Sequence, residues 1–182
     1  LVMAVVAYLR ETGDFNYLDE QIPYQDGGSD TVWEHMLRAI DFTLSHRGPR
    51  GLPRLGFSDW DDTMNLDHGS GKAESVWCGM QFCRVMLDLV ELCQFLGKTD
   101  DAERFKILHS TMSEIIEQVA WDGEWYTRAF DDQGLPVGVH SESVHRINLL
   151  PQAWSVIGEI GDAERSRKAM QSAHEQLDTP FG

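Results

Sequence analysis

The sequence predicts an all-α protein made of helical hairpins, part of a larger α/α barrel, with one small β-hairpin inserted. Three observations predict this. Apolar residues recur at helical spacing through most of the 182 residues. A similar turn follows three apolar helices: Gly13-Asp14 in RETGDFNYL, Gly97 to Asp101 in GKTDDAERF, and Gly161-Asp162 in GEIGDAERS, the last two continuing Ala-Glu-Arg. Three helical hairpins cannot close a ring, and both ends read as interrupted. The expectation is therefore one domain over residues 1–182, truncated at both ends.

The elements follow in order. Residues 1–12 form an apolar helix that ends at Gly13-Asp14. Phe15 to Tyr24 is a connector, and Asp26-Gly27-Gly28-Ser29 a turn. Asp30 or Thr31 caps a second helix, with Glu34 placed as a capping-box partner. Trp33, Met36, Leu37, Ile40 and Leu44 are its buried stripe, and Gly48-Pro49 stops it. Lys72 to Gly97 reads as the most strongly apolar helix. Val76, Met80, Cys83, Leu87 and Val90 mark its core face, with Met86, Leu89, Cys93 and Leu96 widening it enough to predict burial. Asp100 or Asp101 opens the next helix, whose core face is Phe105, Leu108, Met112, Ile115 and Val119. At Trp121 the period changes to an alternating aromatic run. This predicts a β-hairpin turning at Asp131-Asp132-Gln133-Gly134. Residues 139–149 are a loop, a helix begins near Pro151, and a last helix with a thin apolar face spans Asp162 to Leu177.

Composition narrows the class of partner. A net charge of −15 and a pI near 4.7 exclude nucleic acid and an anionic membrane surface, both of which need clustered Lys and Arg. Neutral sugars suit an acidic protein, because carboxylates accept hydroxyl hydrogen bonds. No run approaches the ~18 apolar residues of a membrane span. The opening LVMAVVAYL lacks a basic start and a cleavage site. Cys78, Cys83 and Cys93 share one predicted helix without a C-x-x-C pair, so they read as buried thiols of a reducing, cytoplasmic compartment. No His or Cys pair has the spacing of a metal site.

The stretch Gly56–Trp77, GFSDWDDTMNLDHGSGKAESVW, has no apolar period and is flanked by helices. It gathers Asp59, Asp61, Asp62, Asp67 and Glu74 around Trp60 and His68. Carboxyls beside an aromatic face suit sugar recognition and acid chemistry on a glycosidic bond. A solvated acidic connector is the plainer alternative.

These residues resemble glycoside hydrolase family 94, which includes the inverting phosphorylases of cellobiose and chitobiose and the phosphorylase-like part of cyclic β-1,2-glucan synthases. The family pattern G-D-W-N-D-G-M-N, then G-K-G-E-S-V-W, is matched by Ser58 to Asn65 and Gly71 to Trp77. Trp121 to Phe130 is similar to W-D-G-x-W-Y-x-R-A-Y, Pro151-Gln152-Ala153-Trp154 to P-Q-S-W, and Leu177 to Gly182 to a further family stretch. The chain departs from the pattern at Asp61, Thr63 and Ala73.

The resemblance implies an (α/α)6 barrel as catalytic domain and inverting phosphorolysis of a β-linked glucoside to a sugar 1-phosphate. Asp62 would be the general acid. Inorganic phosphate would be nucleophile and co-substrate, with no cofactor and no metal. Phosphate is already anionic, so no second catalytic carboxylate is needed. Asp59 and Asp61, as like charges, would help keep a proton on Asp62. Asp61 also adds negative charge where phosphate approaches.

Asp59, Trp60, Asp61, Arg128, Gln152 and Glu74 are the candidate substrate-binding residues. Plainer roles stand beside these. Trp60 could anchor the loop and Asp59 cap a turn. Glu74 could complement the helix dipole, Arg128 form a hairpin salt bridge, and Gln152 a helix-start hydrogen bond. His68, His140 and His145 read as surface loop residues. The family's phosphate-binding residues are expected beyond residue 182, so this stretch alone is expected to be incomplete, and a homodimer of the full-length parent remains open. Alternative functions are an inverting hydrolase, with Asp59 or Glu142 as base, and a non-catalytic glycan-binding module.

Overall fold

The computed structural model describes residues 1–180. Phe181 and Gly182, the end of the LDTPFG resemblance, lie outside the described residues. Six α-helices and five short strands are formed among them. The chain divides into two compact units, Leu1–His46 and Arg47–Gly182.

In the first unit, α1 (Val2–Thr12) buries Val2, Val5, Val6 and Leu9 and ends on a left-handed Gly13. The expected connector is more ordered than its sequence suggests. Phe15–Asp19 winds as a 3-10 turn, and β1 (Gln21–Pro23) pairs antiparallel with β2 (Ser29–Thr31). Tyr8 of α1 meets Tyr17 of the 3-10 turn at 4.9 Å. The second helix, α2 (Val32–Ser45), starts where Thr31 Oγ1 accepts the Glu34 N–H at 3.1 Å. It buries Val32, Trp33, Met36 and Ile40.

The second unit is a stack of helical hairpins. α3 (Val76–Phe95) packs along α4 (Thr99–Val119), and α5 (Leu149–Ile157) along α6 (Ala163–Leu177). The pairs meet where α3 contacts α5. α3 starts at Val76, four residues later than expected, because Glu74 and Ser75 just ahead of it are drawn into a sheet. Its Met80, Cys83, Met86, Leu89 and Cys93 are all buried. Asp88, also buried, pairs with Arg84 at 2.6 Å. The recurring turns share a physical cause: Gly13, Gly97 and Gly161 all have positive φ, which glycine adopts without a Cβ clash.

Gly158 ends α5 where it approaches α3. A Cβ there would lie 2.8 Å from the Met80 carbonyl oxygen and 3.1 Å from that of Trp154. Both obstacles are backbone, so they cannot swing aside. Gly158→Ala is expected to cost about 1–3 kcal/mol, read as a lower urea midpoint.

The expected hairpin forms, as β4 (Ala129–Phe130) and β5 (Pro136–Val137) with Ala129 opposite Val137. Asp131 Oδ1 closes its turn by accepting the N–H groups of Gln133 and Leu135. A third strand, β3 (Glu74–Ser75), pairs with the other side of β4. The hairpin is therefore anchored to the start of α3 and to the acidic loop before it.

Candidate active site

The acidic loop is held at its base by a buried ion pair. Asp59 accepts from both terminal nitrogens of Arg128, at 2.7 and 2.6 Å, and each side chain is 1% exposed. Ser75 Oγ donates to the same carboxylate at 2.6 Å and accepts the Cys78 N–H at 3.1 Å as the cap of α3. Three segments thus meet at Asp59: the loop, the start of α3 and the residue leading into β4. Burial pushes the Asp59 carboxyl up, but the bonds from Arg128, Ser75 and the Asp61 N–H outweigh it and hold it below its ordinary range.

This geometry corrects two expectations for Asp59. A carboxylate chelated by a guanidinium is neutralised, so Asp59 is not a bare like charge beside Asp62. With its oxygens engaged in a buried pair, it cannot serve as the base of a hydrolase either. Arg128 likewise spends both terminal nitrogens on Asp59, and only its Nε lacks a partner.

Glu74 and Gln152, two candidate binding residues, are both 0% exposed. Glu74 lies in β3, ahead of α3 rather than in its first turn. Its Oε1 accepts the N–H groups of Arg50 and Leu52 at 2.9 and 3.1 Å, and Oε2 meets Arg50 Nη1 at 3.3 Å. Arg50 also donates to the Gly134 carbonyl at 2.7 Å and covers the Phe130 ring at 4.1 Å. Gln152 grips Tyr126 through both backbone groups, at 2.9 and 2.8 Å. These side chains fasten the hairpin to the helices and present nothing to a ligand in this structure.

Asp67 closes the far side of the loop. It is buried and accepts four hydrogen bonds, from Ser70 Oγ and the N–H groups of Gly71, Lys72 and Ala73. Burial raises its pKa, but these donors overcome that and lower it from 3.8 to about 2. The native state therefore holds fewer protons than the unfolded chain. The stabilisation is present above the ordinary value and is lost as pH falls through about 2. Asp67→Ala is expected to cost roughly 2–4 kcal/mol near neutral pH by orphaning the Gly71 and Ala73 N–H groups and leaving Lys72 N–H only its longer bond to Ser70 Oγ. The deficit relative to wild type should shrink in acid denaturation series as the Asp67 carboxyl titrates.

Trp60, Asp61 and Asp62 sit at the loop's outer turn. Trp60 is 71% exposed, its ring 6.3 Å from Trp77, which in turn stands edge-on to Trp154 at 5.8 Å. Asp62 is exposed. Asp61 Oδ1 accepts both the Thr63 N–H and hydroxyl, at 3.2 and 2.6 Å, which hold its carboxyl below the ordinary range. Asp61 and Thr63 line a pocket of about 370 Å³ that also reaches Arg128 and Asn148; Asp62, between them, is not part of its wall.

Two loop histidines have carboxylate partners that the sequence did not show. His68 Nδ1 lies 3.2 Å from Asp132 and His140 Nδ1 3.2 Å from Asp122. His145 lines the pocket. The thiols of Cys78, Cys83 and Cys93 are free, and burial pushes them up to about 11, 12 and 11, which leaves them unreactive. No group of three or more His, Cys, Asp or Glu among the described residues could hold a metal ion, and none of their helices is long and apolar enough to cross a membrane.

Sequence reasoning missed Asp67 and Ser75 as loop supports. Asp67 ahead of Ser70-Gly71 is a recognisable side-chain-to-backbone turn pattern. Ser75 carried the ordinary signal of a helix cap. Neither signal reveals Asp59, which is distant in sequence from its partner Arg128.

Stacked helical hairpins with a small sheet define the protein as one of a helical-hairpin fold. The crystal structure of a GH78 family rhamnosidase of Bacillus sp. GL1 shares the fold, with a TM-score of 0.70 over 98% of this chain and 17% of that one, at 17% identity. The model of the glycosyl hydrolase 94 superfamily catalytic domain matches residues 1–182, and the chain belongs to that family. It is 36% identical to solabiose phosphorylase of Paenibacillus borealis over 98% of this chain and 23% of that protein. It is 30% identical to N,N'-diacetylchitobiose phosphorylase of Vibrio proteolyticus over 100% of this chain and 22% of that protein. Cyclic beta-(1,2)-glucan synthase NdvB of Rhizobium meliloti is 28% identical over 99% of this chain and 7% of its own length. The chain thus spans less than a quarter of the length of the phosphorylases it matches.

Proposed function

We propose that this chain is part of the catalytic domain of an inverting glycoside phosphorylase, an (α/α)6 barrel that cleaves a β-linked disaccharide with inorganic phosphate to give a sugar 1-phosphate. The observation that carries the reading is the division of labour among the loop's carboxylates. Asp59 and Asp67 are buried and fully bonded, so they shape the loop. Asp62 is exposed at its outer turn, free to meet a substrate.

In this mechanism Asp62 gives its proton to the departing glycosidic oxygen while phosphate attacks the anomeric carbon from the opposite face. The bond from that carbon to the leaving oxygen breaks as the bond to phosphate forms, and configuration inverts. Trp60 offers an exposed aromatic face for a sugar ring. Family membership and the two phosphorylase relatives support phosphate as the nucleophile. The bonding of Asp59 speaks against a hydrolase using it as base.

The test is to incubate the full-length protein with cellobiose, solabiose and N,N'-diacetylchitobiose, with and without phosphate. Sugar 1-phosphate formed only with phosphate is the expected result. Free sugar released equally without phosphate would replace this reading with hydrolysis.

A further inference from the structure

We infer that the pocket beneath the outer turn takes one uncharged hexose ring, and that Asp61 is the wall residue that turns away carboxylated sugars. The inference deepens the phosphorylase reading and rests on it.

The pocket's size and lining define the ligand class. About 370 Å³ is at the lower end of small-molecule sites, matched to one sugar ring rather than a chain. Met64, Leu66, Val137 and Ile147 supply apolar contact for the C–H faces of a pyranose, and Asp61, Thr63, Asn65, His145 and Asn148 supply polar groups for its hydroxyls. Asn148 uses its side-chain oxygen to cap α5, accepting from Leu150 at 2.9 Å, which leaves its amide N–H groups as donors. Buried Arg128 also borders the space, with its Nε–H unpartnered.

Charge then sets the preference within that class. The Arg128 guanidinium is cancelled by Asp59, which holds both its terminal nitrogens. Asp61 forms no ion pair among the described residues, and the Arg128 charge reaches it only through space, opposed by that of Asp59. Its Oδ1 is fixed by Thr63, and its charge is stabilised by those same bonds. A carboxylate accepts hydrogen bonds from hydroxyls but repels a second carboxylate, and the protein's net charge of −15 acts in the same sense. The pocket is thereby selective by repulsion as well as by contact.

The experiment titrates the full-length protein with glucose and, separately, with glucuronic acid, following binding by saturation-transfer NMR or calorimetry. The same preparation is assayed for phosphate-dependent turnover. Wild type is expected to favour glucose by about tenfold or more, and Asp61→Asn to remove most of that preference. Asn65→Asp, an exposed position, adds a second carboxylate to the wall and should widen it. The inference is overturned if wild type binds the two equally or binds neither, or if neither variant moves the ratio. Turnover with an unmoved ratio defeats the selectivity and leaves phosphorolysis standing. The expected ratios without any phosphate-dependent turnover defeat phosphorolysis and leave the sugar pocket standing.

Discussion

Asp62→Asn in the full-length protein should lower kcat for phosphorolysis by roughly a hundred- to ten-thousand-fold, the range that a positioned general acid contributes. Thermal or urea stability should change by no more than about 0.5 kcal/mol, because the side chain is exposed and supports no contact on which the loop depends. The two readouts together separate a lost proton donor from a lost fold. A second comparison sharpens this. A glucosyl donor with a leaving group that departs without protonation, such as a dinitrophenyl glucoside, should lose far less rate in the variant than a disaccharide does. A variant that turns over disaccharide at near wild-type rate would remove Asp62 from the mechanism.

Arg128→Met should destabilise the protein by about 3–5 kcal/mol, the cost of leaving a buried carboxylate without its partner. The asymmetry of buried ion pairs makes the prediction specific. Breaking the pair strands Asp59 among Ser75 and the Asp61 N–H with no positive charge, whereas removing both charges strands no buried charge. Asp59→Asn combined with Arg128→Met should therefore recover most of the loss, and a double-mutant cycle by urea denaturation reads the coupling directly. Activity should not recover in parallel. The bidentate pair fixes the loop that carries Trp60 and Asp62, and an amide beside a thioether does not reproduce its geometry. Stability regained with activity still reduced is the pattern of a positioning pair. Additive effects of the two substitutions would show that the pair contributes little.

Much of the helical architecture was legible because its causes are local. Periodic apolar residues marked the six helices. Thr31 with Glu34 marked the cap of α2, and the recurring Gly-Asp turns marked where chain direction reverses. The hairpin after Trp121 was legible for the same reason: an alternating run followed by a turn-forming Asp-Asp-Gln-Gly. What failed were short elements whose partners are remote. β1 and β2 are three residues each and exist by pairing with one another. β3 is two residues, taken from what reads as the first turn of a helix, because β4 lies beside it.

The candidate site divides along the same line. Its composition was visible: an acidic loop, an aromatic within it, and motifs shared with a carbohydrate-active family. The assignment of roles among its carboxylates was not. Asp59, Asp61, Asp62, Asp67 and Glu74 are chemically near-equivalent in a string of letters. Distance and burial separate them: two charges locked by Arg128 and Arg50, one clasped by a turn of backbone N–H groups, one fixed by Thr63 on a pocket wall, and one left open.

By itself, then, the chain's order of residues determined its helices, its turns and its family, since these follow from neighbours a few positions apart and from motifs read in line. The tertiary structure decided which acids are scaffold and which face outward. That decision depends on Arg128, immediately ahead of strand β4 and 69 residues along the chain from Asp59, arriving beside it, and on water being excluded where they meet.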